Sequence, residues 1–249
     1  ISWSKSMRWA DYELKWARPL KSILALFNKQ TINFNFFHLK SGNSTFLDKT
    51  LEENKVVIND FKSYLKLLSK KNIILDQKIR KDFIIKNINK ISKSKKIKTV
   101  INEKLIEEVN DLVESPKIII GKFDKEFLKI PKEILITSMQ QHQKYFPTFD
   151  EKDNLTNIFL IVANSHDNKG FIKIGNESVI SARLSDAKFF WEKDKSQNLV
   201  KQVINLKNIN FFNKLGNLFD KVQRTRKLGS LISDHLNLSK EKIEISISI

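Results

Sequence analysis

The chain has 249 residues, and its 45 lysines and arginines exceed its 28 aspartates and glutamates to give a formal net charge of +17. It has no cysteine, which excludes disulfides, zinc–thiolate sites and cysteine nucleophiles and is compatible with the cytoplasm. No apolar run approaches the ~18 residues of a membrane helix, so we expect no membrane span. No charged leader precedes an apolar run, so we also expect no signal peptide. The chain starts without methionine and ends on alternating isoleucine and serine, which predicts a piece of a longer protein.

The excess of positive charge predicts an anionic partner, most simply nucleic acid. Codon bias is the alternative origin, because lysine, asparagine and isoleucine are the residues that an AT-rich genome favours. Only six of the basic residues are arginine. Where lysine is the default, an arginine indicates a position that needs a planar, permanently charged group.

The first 28 residues combine three tryptophans, Trp3, Trp9 and Trp16, with the dipeptide Arg18-Pro19. The tryptophans are either core residues or a platform on which nucleobases stack. Apolar residues spaced i, i+3, i+4 and i+7 then predict a helix from about Pro19 to Asn28. Alternating and aromatic residues predict a strand over Thr31–Leu39.

A lysine-rich stretch follows a short predicted strand at Val56–Ile58 and a predicted helix over Asp60–Ser69. Within Lys66–Lys104 an apolar helical stripe persists, so we expect an amphipathic helix with a basic outer face. That face is either simply solvated or in contact with phosphates. The candidate phosphate-contacting residues are Lys78, Arg80, Lys81, Lys93, Lys95 and Lys96.

The next segment, which runs from another predicted helix at Asn102–Glu114 to a hairpin, carries a dense polar motif. Strand Ile118–Phe123 and helix Pro131–Gln141 precede the sequence TSMQQHQKYFPT. Phe146 stands before Pro147 and must be extended, so the helix should end by about His142. Polar groups between a helix and a strand often contact ligands, although a solvated helix end explains them equally well. The predicted hairpin joins Lys144–Phe149 to Asn157–Ala163.

The segment Gly175–Asp194, GNESVISARLSDAKFFWEKD, predicts a helix that begins at Gly175-Asn176. Asn176 would cap the first turn, and Glu177 would lie at the positive end of the helix dipole. Arg183 and Asp186 are three residues apart and are expected to pair. We hypothesise that this pair orients the helix against Gln140–Tyr145. A last helix is predicted from about Leu218 to His235.

Self-sufficient catalytic motifs are missing from the sequence. It contains no GxGxxG, HExxH or GxSxG, and its four histidines do not have the spacing of metal ligands. We therefore expect no catalytic residue and no metal site in this chain. That pattern favours a module of a larger enzyme over a free-standing one.

Four collinear segments resemble the β subunit of bacterial glycyl-tRNA synthetase. They are KSMRWADYELKWARPLKSILALF at Lys5–Phe27, SPKIIIGKFDKEFLKIPKEILITSMQQHQKYFP at Ser115–Pro147, the Gly175–Asp194 helix, and KLGNLFDKVQRTRKL at Lys214–Leu228. The intervening insertion, Leu51–Asn102, fits in length and helical character only.

The resemblance implies an α2β2 glycine–tRNA ligase in the cytoplasm. The α subunit of that enzyme would use ATP with Mg²⁺ to form glycyl-adenylate, and the β subunit would support tRNA(Gly) binding and charging. This chain would bind no cofactor itself. Its candidate contacts to tRNA or the α subunit, or members of a structural polar cluster, are Arg8, Arg18, Gln143, Lys144, Tyr145, Asn176, Glu177, Arg183 and Asp186.

Two alternatives from other classes stay open. The chain could be a general RNA-binding or scaffold module that works through its charge. It could also hold an editing-like hydrolase pocket, formed by His142, Lys144, Tyr145, Glu177 and Asp186.

We predict an α+β fold in which helices pack on a mixed sheet of the five predicted strands. Residues 1–58 and 115–197 would form the core domain, and residues 59–114 a basic helical insertion. Residues 198–249 would begin an all-helical, HD-like domain that the resemblance implies and that would be truncated here.

Overall fold

The computed structural model describes residues 5–46 and 55–237 and has an α+β fold, as predicted. Contacts divide the chain into two units. Unit 1 comprises Ile1–Lys122 and Met139–Glu177, and unit 2 comprises Phe123–Ser138 and Ser178–Ile249. The C-terminal tail after residue 237 lies outside the described residues.

Unit 1 begins with short strands in small sheets. They are β1 (Met7–Arg8), β2 (Lys15–Trp16), β3 (Ile23–Leu24), β4 (Leu26–Phe27), β5 (Gln30–Thr31), β6 (Asn35–Phe36), β7 (Leu39–Gly42), β8 (Ser44–Phe46) and β9 (Lys55–Val57). β1 pairs with β2, β4 with β5 and β8 with β9, all antiparallel. β7 lies between a parallel β3 and an antiparallel β6.

The helix predicted over Pro19–Asn28 is wrong, because β3 and β4 occupy that segment. The apolar spacing that suggested a helix arises from two separate pairings. Ile23 lies opposite Ser41 in the parallel pair, and Phe27 lies opposite Gln30 across a tight hairpin. Asn28 and Lys29 form its turn with φ values of 45° and 67°, a conformation that asparagine tolerates better than most residues.

The principal sheet of unit 1 has four antiparallel strands in the order β10-β12-β13-β11. Their bounds are Lys98–Thr99 for β10, Lys117–Lys122 for β11, Phe146–Phe149 for β12 and Leu155–Ala163 for β13. The predicted strands at Ile118–Phe123, Lys144–Phe149 and Asn157–Ala163 all belong to it. The predicted strands at Thr31–Leu39 and Val56–Ile58 do not join it. The prediction of a single sheet of five strands is therefore wrong.

The β12–β13 hairpin closes through Asp150. Its carboxylate accepts hydrogen bonds from the main-chain amides of Lys152 (2.9 Å) and Asn154 (2.8 Å). These bonds, led by the Asn154 amide, lower the pKa of Asp150. The carboxylate of Asp150 therefore stabilises the turn.

The predicted helices of the basic stretch form and are capped from their preceding residues. Helix α1 (Phe61–Lys70) follows Asp60, α2 (Gln77–Lys95) follows Asp76, and α3 (Glu103–Leu112) follows Asn102. Each cap accepts a hydrogen bond from the amide three residues on, at 2.7 Å, 2.9 Å and 3.1 Å respectively.

Helices α2 and α3 share one apolar core with the sheet. Its buried members are Ile84, Ile88, Leu105, Ile106, Val109, Val113, Phe146 and Leu160. The basic stretch is therefore packed against the principal sheet, and strand β10 extends that sheet at its edge.

In unit 2, a 3-10 turn (Lys125–Lys129) precedes helix α4 (Lys132–Thr137). The long helix α5 (Phe171–Ser196) begins in unit 1 and continues into unit 2, where Lys188 pairs with Glu126 at 2.7 Å. Helix α6 (Leu199–Gln202), a 3-10 segment (Val203–Asn208), strands β14 (Asn210–Phe212) and β15 (Gly216–Asn217), and helix α7 (Leu218–His235) follow. The prediction for α7 is confirmed, but a small hairpin interrupts the segment expected to be all helical.

Replacement of Ile106 by alanine tests the shared core. Ile106 is fully buried on α3, so Ile106→Ala should lower the free energy of unfolding by about 2–5 kcal/mol, because apolar packing is removed and a cavity is left behind. Leu112, on the same helix, is 60% exposed, and Leu112→Ala should change stability by about 0.5 kcal/mol or less. Urea unfolding of both variants measures the difference, and equal losses of stability would contradict the core assignment.

Candidate functional site

The polar motif between α4 and β12 has an irregular backbone. Helix α4 passes into a π-helical turn over Ser138–His142, and the helix ends at His142 as predicted. Lys144 then adopts φ of 60°, which is uncommon for a residue other than glycine. π-Helical turns are rare in proteins, and those that do occur are frequently found at functional sites. Here the turn and the left-handed residue bring Tyr145 back towards the helix, where its amide donates to the Met139 carbonyl at 2.9 Å.

Tyr145 is the centre of this segment. It is 4% exposed, its ring stacks on Phe159 with centroids 4.9 Å apart, and its hydroxyl donates to Asn176 Oδ1 at 2.6 Å. Burial raises the pKa of Tyr145 to about 12. The hydroxyl therefore stays protonated at neutral pH and acts as a hydrogen-bond donor, not as a base.

Asn176 meets Tyr145 from the interior of α5, which corrects the predicted helix start. The helix begins at Phe171, and the carboxylate of Asp167 accepts from the amides of Ile172 (2.9 Å) and Lys173 (2.8 Å). Asn176 is therefore not a cap. Its side-chain amide donates to the Ile172 carbonyl at 2.6 Å while its oxygen accepts from Tyr145.

Glu177 likewise does not lie in the first turn of the helix. Its carboxylate accepts a hydrogen bond from the main-chain amide of Lys122, at the end of β11, at 2.8 Å. It also lies 3.9 Å from the ammonium of Lys173. Asn176 and Glu177 thus attach the start of α5 to two strands of the sheet, at β11 and at the residue before β12.

A glycine allows this attachment. A Cβ added at Gly121 would lie 2.5 Å from Cζ of Phe159, the ring on which Tyr145 stacks. We call Gly121, Lys122, Tyr145, Phe159, Asn176 and Glu177 the tyrosine cluster. Sequence analysis found Tyr145, Asn176 and Glu177 but missed Gly121 and Phe159, because their contact joins residues distant in sequence. It also missed Asp167, which lies four residues before the first residue of α5 and accepts from the amides of its first turn.

Two neighbouring candidates lie beside the cluster. The ammonium of Lys144 pairs with Glu108 of α3 at 2.8 Å, so its charge is compensated within the chain. Gln143 is half-buried. The editing-like pocket also required Tyr145 and Glu177, whose polar atoms here hold the helix and the sheet together.

The expected Arg183–Asp186 pair does not form. Both side chains are exposed on α5, and no ion pair within 4.0 Å joins them among the described residues. The contact that orients α5 in unit 1 comes from Asn176 and Glu177 instead. Arg8 and Arg18 are also exposed, in β1 and before Pro19.

The prediction that Arg80 contacts phosphate is wrong, because this residue is only 7% exposed. Its guanidinium donates to the Asn110 carbonyl (3.1 Å), to Asn110 Oδ1 (3.2 Å) and to the carbonyls of Ile74 (2.7 Å) and Leu75 (3.3 Å). The cation is thus satisfied by the chain and ties α2 to α3. The scarcity of arginine marked an important position, but its role is structural.

The remaining candidates on α2 divide into paired and exposed lysines. Lys81 contacts both Glu103 and Glu107, and the hydrogen bond that it donates to Glu103 raises the pKa of Lys81. The exposed candidates are Lys78, Lys93, Lys95 and Lys96. Lys86 and Lys90, which sequence analysis did not select, are also exposed and share a helical face with Lys93 at spacings of four and three. We call Lys86, Lys90 and Lys93 the lysine row.

Two properties of the described residues bear on chemistry and environment. Across residues 5–46 and 55–237, no three His, Cys, Asp or Glu side chains form a group that could hold a metal ion. In that same part of the chain, every helix is too short or too polar to span a membrane.

Comparison with known proteins places this α+β chain among the subunits of aminoacyl-tRNA synthetases. It belongs to the glycyl-tRNA synthetase beta subunit family, whose model matches residues 1–248. It is 38% identical over 232 residues to the glycine–tRNA ligase beta subunit of Rickettsia felis, with 92% of this chain and 35% of the relative covered. The same subunit of Syntrophomonas wolfei is 37% identical over 248 residues, with 99% and 36% covered. The chain thus spans about a third of the length of these relatives.

Paired glycine replacements test the tyrosine cluster. Gly121→Ala places a Cβ against the Phe159 ring and should destabilise the protein by about 1–3 kcal/mol. Gly175→Ala is the control, because nothing lies within 4 Å of its added Cβ and the residue is helical, so about 0.5–1 kcal/mol of stabilisation is expected. Chemical denaturation measures both, and an unaffected Gly121→Ala variant would contradict the close packing.

Alkaline unfolding tests the Tyr145 hydroxyl. Its folded pKa lies above the usual 10.0, so its contribution is complete below pH 10 and is lost as the pH rises towards about 12. Tyr145→Phe should lower the free energy of unfolding by about 1–2 kcal/mol at pH 7. The difference in this free energy between the variant and the unmodified protein should become smaller as the pH rises from 10 to about 12. Tyr12→Phe, at a residue 47% exposed, is the control. A gap that stays constant from pH 9 to 12 would argue against the assigned hydrogen bond.

Proposed function

We propose that this chain is part of the β subunit of a heterotetrameric glycine–tRNA ligase and supports the binding and charging of tRNA(Gly). The observation that carries the proposal is the family match across residues 1–248. The relatives are named as beta subunits of glycine–tRNA ligases, which supports a second, α subunit as partner. The proposed assembly is α2β2 in the cytoplasm.

In this proposal the chemistry of amino-acid activation belongs to the α subunit, which would bind ATP and Mg²⁺. The polar groups of the tyrosine cluster are engaged in holding α5 on the sheet. Tyr145 is a weak acid whose hydroxyl already donates a hydrogen bond to Asn176. Such groups position a scaffold well and are poorly suited to proton transfer at neutral pH.

For tRNA, the proposal assigns phosphate contact to the exposed lysines of α2. The lysine row presents ammonium groups on a helix whose opposite side, at Ile84 and Ile88, is fixed in the core. Lys78, Lys95 and Lys96 add exposed ammonium groups near the two ends of the same helix. Contacts of this kind neutralise phosphates without reading sequence, and they release counterions on binding.

An exchange assay tests the division of labour. The full β subunit alone should give no glycine-dependent exchange between ATP and pyrophosphate, and exchange should appear when the α subunit is added. Exchange by the β subunit alone would overturn the proposal that activation belongs to the α subunit. Affinity that ignores tRNA identity in the assembled enzyme would favour the general RNA-binding alternative.

Neutralisation of the lysine row tests the phosphate contacts. In the assembled enzyme, replacement of Lys86, Lys90 and Lys93 by glutamine should weaken tRNA binding and reduce the slope of log K against log salt by about one for each phosphate that is no longer neutralised. The matched control replaces Lys125, Lys129 and Lys132, three exposed lysines of unit 2, by glutamine. Filter binding over a salt series measures both, and equal effects of the two sets would indicate a general charge effect in place of specific phosphate contacts.

A further inference from the structure

The start of unit 1 contains an aromatic cavity that the proposed function does not explain. It has a volume of about 630 Å³. Its lining includes Trp9, Tyr12, Trp16, Pro19, Lys21 and His38. We call this the aromatic cavity. Its size lies within the usual range of small-ligand pockets, about 300–1,000 Å³.

The rings are arranged for stacking while still reaching solvent. Tyr12 and His38 stack with their centroids 3.5 Å apart and their planes 8° from parallel. Tyr12 is 47% exposed and His38 is exposed, whereas rings that serve only as core are buried. An exposed, ordered pair of this kind offers flat apolar surface to a second flat molecule.

The indole of Trp9 is fixed by a contact of its own. Trp9 Nε1 donates a hydrogen bond to the Trp16 carbonyl at 3.1 Å, across the β1–β2 pair. Trp9 and Trp16 are both half-buried residues that line the cavity. Rings that are held in place lose little conformational freedom when a ligand stacks beside them.

The segments that form the cavity are basic. Residues 5–21 together with residue 40 carry six exposed cations and two exposed anions. The cations are Lys5, Arg8, Lys15, Arg18, Lys21 and Lys40, and the anions are Asp11 and Glu13. Aromatic grooves also accept proline-rich peptides, but those ligands carry no phosphates for such cations to contact.

We propose that the aromatic cavity binds an unpaired nucleobase of single-stranded RNA. The base stacks on the aromatic lining, and the neighbouring lysines and arginines contact the phosphates on either side of it. This inference rests on the proposed tRNA-binding function and assigns it a specific site, separate from the lysine row. It also gives Arg8 and Arg18 a place beside a backbone that they can contact as forked cations.

The test compares RNA with and without bases on the full chain. Fluorescence anisotropy at low salt should show a labelled short oligoadenylate binding more tightly than the same backbone with abasic residues. Tyr12→Ala and His38→Ala should each weaken oligoadenylate binding about tenfold and leave abasic binding unchanged. Tyr12→Phe, which keeps the ring, should bind like the unmodified chain.

Phe27→Ala supplies a matched aromatic control, because Phe27 is 74% exposed and does not line the cavity. It should leave oligoadenylate binding unchanged. Equal affinity for base-bearing and abasic strands, an equal loss in Phe27→Ala, or no binding at all would overturn the proposal. Displacement by an equal concentration of AMP, or by a proline-rich peptide, would also overturn it by assigning the cavity another ligand.

Failure here is distinguishable from failure of the proposed function. If the assembled enzyme binds tRNA and is sensitive to the lysine row, but the cavity variants behave normally, only the nucleobase site is refuted. If the assembled enzyme does not bind tRNA, the proposed function fails irrespective of short oligonucleotides.

Discussion

The apolar contact that helices α2 and α3 make with the principal sheet is the interaction on which the arrangement of these elements in unit 1 depends. Ile84 and Ile88 must face Phe146 and Leu160, because these side chains are fully buried together. That requirement fixes the rotation of α2 and places the lysine row on its opposite side. Codon bias can supply lysines, but only the packing of α2 decides that they line one exposed helical surface.

The same sheet positions the tyrosine cluster through strand alternation. Phe146 enters the apolar core, while its neighbour Tyr145 stacks on Phe159 and reaches Asn176. Phe159 and Leu160 divide in the same way on β13, because successive side chains point to opposite faces. One face of the sheet therefore carries α2 and α3, and residues leading to the other hold the start of α5. The ring of Phe159 can lie against Gly121 of β11 only because this glycine has no side chain to collide with it.

Sequence alone predicted the elements whose patterns are local and strong. Helices α1, α3 and α7, the β12–β13 hairpin and the helix end at His142 all appear close to their predicted bounds. The prediction of a helix over Pro19–Asn28 is wrong, because apolar residues on two short paired strands happen to have the spacing of a helix. The start of α5 was misplaced because Asn176 resembles a cap, whereas Asp167 lies earlier in the chain and is recognisable only from its hydrogen bonds. The burial of Arg80 depends on Asn110, thirty residues away, which no local pattern indicates.

These corrections redistribute the roles of the residues that carry the family resemblance. Asn176, Glu177 and Tyr145 are diagnostic in sequence, yet their polar atoms bind other parts of this chain. A hydrogen bond already made to the backbone or to a buried tyrosine must be broken before the same group can bind RNA, which costs free energy. Contacts to an anionic partner are therefore better sought where cations and rings remain exposed, at the lysine row and the aromatic cavity. The family signature in Tyr145, Asn176 and Glu177 therefore marks the scaffold that attaches the start of α5 to the principal sheet.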